Sequence, residues 1–409
     1  MEFIENIKEK EYTEFVINHP NSHFLKAYEW GEVAKIRGFV PYYVGMKEKN
    51  KLIATALLLQ KKIPLGYSYF YIPRGFAIDY NNYKLIEKFT KEIAKFVKKH
   101  KGIFFKIDPD IKLHTIDENA EVIKEEENNY ELVNNLKKIG YKHQKLTKFF
   151  ESTQPRFTFR VDLTKENITK TYSKSVPRWI KIADKYKVEA KIGTKENVKD
   201  FVKLMKLTEK RQGFYSHEYS FYPKFYDIFH KKGYVDVLYA TVNKENIINQ
   251  IELDLKDLEK NPNEERLNKL KQLKEKYENY EEGNQVVSSY FNVNYGNKSW
   301  YLYGANDMDY KDTYSNYKLF DFQIKHAQEL GKEIFDEFGT VGDPKTTKSV
   351  AGLHEFKKKF GGEYTEFIGE FDYVTNKTMY VLFTKIVPLY RKPLLFFRHL
   401  KVKIQKKEK

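Results

Sequence analysis

The sequence predicts an α/β (α+β) protein of two domains, with a helical hairpin inserted in the second. Three observations carry that prediction. Strand-like and helix-like segments alternate in two cycles of similar order. At 409 residues, the chain exceeds the size at which one hydrophobic core stops growing. A highly charged stretch, 246–282, breaks the second cycle with apolar residues at helical spacing.

In the first cycle Phe39–Met46, Ile53–Leu59 and Tyr67–Ile72 read as strands. Leu85, Ile86, Phe89, Ile93, Phe96 and Val97 recur at helical spacing and predict a helix over Tyr83–Lys98. Gly102 breaks it, and Ile103–Ile107 is a buried strand that ends in Asp108-Pro109-Asp110. The second cycle opens after Gln154-Pro155-Arg156 with the strand Phe157–Asp162 and a basic helix around Tyr172–Tyr186. The strand Val188–Ile192, a helix over Lys195–Arg211, an aromatic loop and the strand Val235–Val242 follow.

Ile247, Ile248, Ile251, Leu255 and Leu258 then form one apolar seam. Beyond the turn Asn261-Pro262-Asn263, Leu267, Leu270, Leu273, Tyr277 and Tyr280 form another, which predicts an antiparallel coiled-coil hairpin. It lies between Val235–Val242 and Val286–Asn294, so it is expected to project from a sheet edge, either as a dimerisation arm or as an arm that touches a large substrate. Trp300–Ala305 reads as a strand running into a tight turn, followed by a helix over Tyr317–Leu330 and the strand Glu333–Phe338 with Gly339 at its end. The first domain is expected over 1–150, completed by about 340–385, and the second over 151–340, with the hairpin at 246–282. Residues 386–409 form a basic, partly apolar tail. It suits an interfacial segment at an anionic membrane or a last helix packed on the body.

Composition narrows the function. The net charge of +16, from 73 Lys+Arg against 57 Asp+Glu, predicts an anionic partner such as nucleic acid, an acidic membrane surface or a phosphorylated substrate. Cysteine is absent, which excludes a disulfide framework, a thiolate metal site and a cysteine nucleophile. No paired-histidine spacing suggests a metal site, and no apolar run of about 18 residues suggests a membrane span. The opening Met1-Glu2-Phe3-Ile4-Glu5 is acidic and short of apolar length, so no signal peptide is expected and the cytoplasm is the expected location.

The run Gly352-Leu353-His354-Glu355-Phe356-Lys357-Lys358-Lys359-Phe360-Gly361-Gly362 concentrates charge between aromatic anchors. It suits a phosphate or oxyanion site, or a helix end with a solvated lysine run. No Walker or Rossmann phosphate loop is present, and Arg211-Gln212-Gly213-Phe214 lacks the second glycine of the turn that holds acyl-CoA pyrophosphate. Basic and aromatic clusters remain. They are Tyr71-Ile72-Pro73-Arg74-Gly75, Gln154-Pro155-Arg156 and Trp300-Tyr301-Leu302-Tyr303-Gly304-Ala305, placed where open α/β sheets bind ligands.

The joint order of these landmarks resembles the Fem family of non-ribosomal peptidyltransferases. The series includes Trp30-Gly31-Glu32-Val33-Ala34-Lys35, Ile72-Pro73-Arg74-Gly75, Lys106-Ile107-Asp108-Pro109-Asp110 and Arg211-Gln212-Gly213-Phe214. It ends with Trp300–Ala305 and the Phe356-Lys357 run, so it spans most of the chain. The resemblance implies two acetyltransferase-like (GNAT) domains with chain crossings between them. It also implies an aminoacyl-tRNA donor and, as acceptor, the stem-peptide amine of lipid II or its UDP-linked muropeptide precursor. The product would be the interpeptide bridge of peptidoglycan.

No cofactor is needed for such a transfer. By resemblance Lys357 would face the oxyanion, and Lys358 and Lys359 would meet RNA phosphate or solvent. Asp108 would act as general base or orient the amine. Arg211 would hold the precursor's diphosphate together with Lys35, although the Trp30 motif could equally place Ala34 at the family's lysine. Arg74, Tyr215, Tyr301, Tyr303 and Phe356 complete the expected binding residues. Peripheral contact with the inner face of the membrane and homo- or hetero-oligomers are further expectations. Two alternatives are a non-catalytic RNA- or membrane-binding module and a tRNA-dependent transferase with another acceptor.

Overall fold

The computed structural model describes residues 1–123, 128–148, 153–212, 217–260, 262–343 and 348–386. The chain opens with β1 (Glu2–Ile4), α1 (Glu9–Asn18), α2 (Tyr28–Ile36), β2 (Val40–Glu48) and β3 (Lys51–Lys62). Then come β4 (Ser68–Ile72), β5 (Ala77–Ile78), α3 (Tyr83–Lys99), β6 (Gly102–Ile107), β7 (Lys112–Thr115), α4 (Tyr130–Ile139) and β8 (Tyr141–His143). The middle of the chain forms β9 (Phe157–Asp162), α5 (Ser175–Lys185), β10 (Glu189–Ile192), α6 (Val198–Gln212), α7 (Phe221–His230) and β11 (Val235–Asn243). The hairpin α8 (Lys244–Lys260) and α9 (Glu264–Glu278) leads into β12 (Asn284–Tyr295), β13 (Lys298–Asn306), α10 (Ser315–Glu329) and β14 (Ile334–Asp336). Last come α11 (Lys348–Lys358), β15 (Glu363–Phe367), β16 (Phe371–Val374) and α12 (Lys377–Val381).

The strands form two sheets, so the predicted mixed α/β class holds. The first runs β1-β2-β3-β4-β6-β16-β8 with β5 on β3, and the second runs β10-β11-β12-β13-β14-β9-β15-β7. Among the described residues each contains one parallel pair, β4 with β6 and β13 with β14. In the first sheet α3 covers one face. Asn82 caps it by accepting from the Leu85 N–H, and its stripe of Leu85, Ile86, Phe89, Ile93, Phe96 and Val97 is buried.

The chain crosses between the sheets. β7 joins the far edge of the second sheet although its neighbours in sequence, β6 and β8, belong to the first. β15 pairs with β9 and β7, while β16, four residues later, returns to the first sheet. The sequence reading assigns both β7 and β15 to the first unit. A strand of four or five residues carries no record of its partner. Burial of Tyr364 in a stack on Phe159, at 4.7 Å between ring centroids, places β15.

Three further expectations change. The aromatic loop after α6 is in its later part a helix, α7, in which Phe221, Tyr222, Phe225, Tyr226 and Phe229 are buried at helical spacing. They pack with Phe24, Trp30 and Val33 of the first half and Phe291 and Trp300 of the second in one core that spans both sheets. The helical hairpin joins β11 and β12, which are interior neighbours, so it leaves from the end of the sheet rather than its edge. It folds back on the body. Ile247, Ile251, Leu258, Leu270 and Tyr277 are buried with Tyr186 and Tyr310. Finally, β13 runs straight through Gly304, where a Cβ would lie 1.7 Å from Tyr301 Oη. That glycine marks the close approach of a phenol and not a turn.

A buried charge network ties the sheets together. Asp110 pairs with Arg160 of β9 and with Lys298 of β13 (3.0 Å), and Arg160 Nε reaches Asp336 of β14 at 2.8 Å. Burial opposes ionisation of Asp110, but the Arg160 and Lys298 charges prevail and hold its carboxyl well below the usual range.

Candidate active site

At the end of β4 the backbone turns through two consecutive left-handed residues, Arg74 (φ 54°) and Gly75 (φ 71°). Gly75 is required twice over, because a Cβ there would lie 2.4 Å from Tyr80 Oη and 3.1 Å from Pro109. The turn points the Arg74 N–H at Asp108 Oδ1 (2.8 Å), just beyond β6. Tyr71 donates its hydroxyl to the same carboxylate (3.1 and 3.2 Å). The Arg74 guanidinium lies 3.9 Å from Oδ2 and donates to the Pro155 carbonyl at 3.1 Å, linking the turn to the entry of β9. Burial raises the Asp108 carboxyl to about 7, against the lowering pull of the Arg74 charge and the hydrogen bonds. A carboxyl poised near neutrality can take up and release a proton at working pH.

Tyr71 also forms the wall of a cavity of about 300 Å³ between α2 and the strands β3, β4 and β6. Trp30, Phe39, Tyr69 and Phe104 give it apolar sides, and Arg37, Lys106 and Gln154 give it polar ones. Lys106 is anchored by Glu370 (2.5 Å) and Asp372 (3.1 Å) of the 370–372 segment. Arg37 lies close enough to the second sheet to act electrostatically on His217 and Tyr303, whose side chains are hydrogen-bonded to each other at 3.1 Å.

This geometry redistributes the expected anion binders. Lys35 is exposed and paired with Glu32 one turn back on α2 (2.7 Å), while Ala34 and Arg37 face the cavity. Residues one and two positions from Lys35 lie about 100° and 200° around the helix, so one motif cannot present all of them to one side. Arg211 is exposed in the last turn of α6 and donates to the Asn306 carbonyl at the end of β13 (3.3 Å). Tyr215 lies outside the described residues.

Lys357 is buried in the last turn of α11, and its ammonium donates to the carbonyls of Phe338 (3.0 Å) and Gly339 (2.8 Å) just beyond β14. Phe338 is left-handed (φ 57°), a conformation that costs on the order of 1 kcal/mol or more in a bulky residue. The ammonium below the two carbonyls and the bond from Phe338 N–H to Asp336 Oδ1 (2.8 Å) hold it there. The ring of Tyr301 lies 5.4 Å from Lys357 Nζ. Glu337 is fully buried, and neither carboxylate oxygen is hydrogen-bonded among the described residues. Burial pushes the Glu337 carboxyl up well above its ordinary value against the pull of Lys357. Burial lowers the Lys357 ammonium to about 8, against the opposing effects of Glu337 and Asp336.

The sequence reading leaves this ammonium free for an oxyanion. The structure places two backbone carbonyls on it, and the neighbouring lysines are engaged too. Lys358 pairs with Glu118 (3.0 Å), and Lys359 donates to the Glu355 carbonyl (3.2 Å) near the ring of Trp179. Phe356 packs at 5.0–5.3 Å centroid distances on Tyr317, Phe320 and Phe360, within the second sheet's core.

Two pairs of expected residues are thus brought together, Asp108 with Arg74 and Lys357 with Tyr301. They are coupled through Asp108-Pro109-Asp110, Arg160 and Asp336, the residue before Glu337. Sequence reasoning marked Tyr71 only as part of a ligand-binding cluster, without a role, and missed Arg37 and Glu337. Arg37 stands just before Gly38 and two residues beyond the motif lysine, and Glu337 sits inside a strand-like run. Among the described residues, no cluster of three or more His, Cys, Asp or Glu side chains could hold a metal.

The chain matches known proteins over nearly its whole length. Lipid II:glycine glycyltransferase of Staphylococcus epidermidis strain RP62A is 29% identical over 430 residues, with 99% of each chain covered. The protein of the same name from Staphylococcus haemolyticus is 28% identical over 433 residues, again with 99% of each covered. The crystal structure of FemX superposes with a TM-score of 0.77 at 27% identity, covering 93% of this chain and 99% of that one. The profile of the FemAB family spans residues 7–387, and the chain belongs to that family.

Proposed function

We propose that this protein transfers an aminoacyl group from aminoacyl-tRNA to the stem-peptide amine of lipid II or its nucleotide-linked form, extending the interpeptide bridge of peptidoglycan. The observation that carries this reading is the Asp108 carboxyl, held near neutrality and joined by Tyr71 to a cavity with cationic groups on its wall. The likeness to lipid II:glycine glycyltransferases, which covers 99% of the chain, supplies the substrate class.

In this reading the acceptor enters as an ammonium and yields a proton to Asp108, directly or through the Tyr71 hydroxyl. The free amine attacks the ester carbonyl at the tRNA 3′ end and forms the C–N bond. The electron pair displaced onto oxygen makes a tetrahedral oxyanion. Its collapse breaks the C–O ester bond; the leaving ribose oxygen takes up the proton held by Asp108, and the attacking nitrogen gives up its excess proton to water as the amide forms. The charge on Lys357 stabilises the oxyanion and, through the Phe338 and Gly339 carbonyls, fixes the strand end beside it. The precursor's diphosphate rests against Arg37 and Arg211.

An RNA donor fits the +16 charge. It also fits a surface of α5 on which exposed Arg178 and Lys181 flank Trp179, whose ring is stacked at 5.8 Å on Tyr314. Basic side chains interleaved with aromatic faces suit a nucleic-acid strand.

The test is transfer by the purified protein of a radiolabelled residue from each charged tRNA in turn, glycyl-tRNA first, onto lipid II and onto the UDP-linked muropeptide. Transfer from no charged tRNA would leave a binding module as the function. Arg37→Ala is expected to raise KM for the acceptor by about 10–100-fold with kcat little changed, the loss of one charged hydrogen bond to phosphate. Salt should weaken the KM for tRNA steeply, because phosphate contacts release counterions on binding.

A further inference from the structure

We propose that the face formed by the turn Ile63–Tyr67 and by α12 with the helical turn after it (Leu382–Ile386) is the surface with which the protein docks on an anionic bilayer. Docking there would set the mouth of the cavity at the lipid headgroups. The inference uses the lipid-linked acceptor of the reading above only to explain why docking is useful.

The turn Pro64–Gly66 between β3 and β4 places Leu65 in a left-handed conformation (φ 65°) with 79% of its surface exposed. A branched apolar side chain in that backbone region is strained, and exposed to water it gains nothing in return. It does not stand alone. Ile63, Tyr67, Tyr69, Met379 and Phe383 are partly buried around Ile103, Phe104 and Tyr380, and Val381 is 44% exposed beside them. The apolar surface therefore continues from the turn onto α12.

Charge complements it. Lys62, Lys377 and Lys385 are exposed and make no ion pair among the described residues. Neither 60–78 nor 373–407 contains a single Asp or Glu. In sequence, the stretch 387–407 that follows contains seven lysines and arginines. The carboxylate that borders the second of these segments, Asp372, is buried and accepts from the Tyr380 hydroxyl (2.8 Å). Apolar side chains among exposed cations on segments without acids are what an anionic lipid surface attracts.

Continuity with the cavity decides between a bilayer and a protein partner. Tyr69 and Phe104 stack on each other at 5.6 Å and both line the cavity, while Phe383 lies 5.6 Å from Tyr69 and 6.2 Å from Phe104 on the outer side. The same two rings are cavity wall on one side and part of the apolar face on the other. An acceptor headgroup in the cavity could keep its lipid chain in a membrane beneath this face.

The absence of cysteine makes a site-specific test simple, because Leu65→Cys creates the single thiol of the 409-residue chain. It is labelled with an environment-sensitive fluorophore and mixed with vesicles of phosphatidylglycerol and phosphatidylethanolamine, or of phosphatidylcholine alone, without substrates. The expected result is a blue-shifted emission with the anionic vesicles only, and no shift for the same label on Leu253→Cys in the helical hairpin. Leu65→Glu should lower vesicle partitioning about tenfold and Lys62→Glu about fivefold, the worth of one buried leucine or one lysine near the surface.

An aqueous label at residue 65 on vesicle-bound protein, or no binding to anionic vesicles, overturns the proposal. The functional reading is tested separately. Leu65→Glu should keep full transfer to the soluble UDP-linked acceptor and lose it to lipid II in vesicles. A responding label on a protein that transfers to neither acceptor would sink the functional reading and leave the docking face standing.

Discussion

Lys357→Met is expected to lower kcat for aminoacyl transfer by about 10²–10³, the loss seen when an oxyanion-stabilising donor is removed. Methionine keeps the length and apolar stem of the side chain but leaves the Phe338 and Gly339 carbonyls and the buried Glu337 without their cation. A loss of stability of about 1–3 kcal/mol should accompany the change, as for any buried acceptor left unsatisfied. Single-turnover transfer by the folded fraction, read beside a melting curve, separates the two effects. Full turnover in a destabilised protein would make Lys357 a structural brace alone.

The ammonium gives a second readout. Burial brings it from 10.5 to about 8, so the folded state releases this proton before the unfolded chain does. Above pH 8 the unfolded chain holds more protons, and this group's contribution to stability therefore rises between pH 8 and 10.5. Activity should fall over the same interval, because the neutral amine no longer opposes the oxyanion. Opposite trends in stability and rate are difficult to obtain from a general loss of structure.

Asp108→Asn should lower kcat by about 10²–10⁴, the range for loss of a positioned general base. Its effect on stability runs the other way. The wild-type carboxyl is raised by burial from 3.8 to about 7, so the folded state binds this proton more tightly than the unfolded chain. The stabilisation is complete below pH 3.8 and is lost as pH rises through 7. Asparagine carries no charge to bury. At pH 8 the variant should therefore be more stable than wild type by up to about 4 kcal/mol, with the pH 4–7 decline reduced. Wild-type activity should climb through pH 7 as Asp108 ionises and fall beyond pH 8 as Lys357 discharges. Urea titrations and rate profiles of the variant over pH 4–9 check both signs. A variant less stable than wild type at pH 8 would show that hydrogen bonding by the carboxylate outweighs its desolvation.

The candidate site was legible in the sequence where a residue type is rare and its backbone setting is encoded nearby. Asp108 precedes a proline at the end of a strand, and Arg74 precedes a glycine that only a left-handed turn needs, so both could be singled out. Lys35 could not be told from its neighbours, because a helical motif fixes spacing without fixing which side meets the cavity. The structure turned Lys35 to Glu32 and set Arg37 on the wall. Glu337 was invisible for a related reason. A glutamate in a short strand is ordinary until folding removes water from both its oxygens. Phe356, expected beside substrate, proved to be core packing, since an aromatic residue next to a lysine reads alike in either place.

By itself the sequence determined the class of fold, the order of most strands and helices, the hairpin between β11 and β12, and the series of landmarks that marks the family. These depend on side-chain periodicity and on glycine and proline, which act over a few residues. Tertiary structure alone decided that β7 and β15 belong to the second sheet, that α7 closes one core across both sheets, and that Asp108 and Lys357 are linked through Asp110, Arg160 and Asp336. Those outcomes depend on which surfaces exclude water together. Strand partnership, and the shifts that bring Asp108 to about 7 and Lys357 to about 8, arise from desolvation by residues distant in the chain.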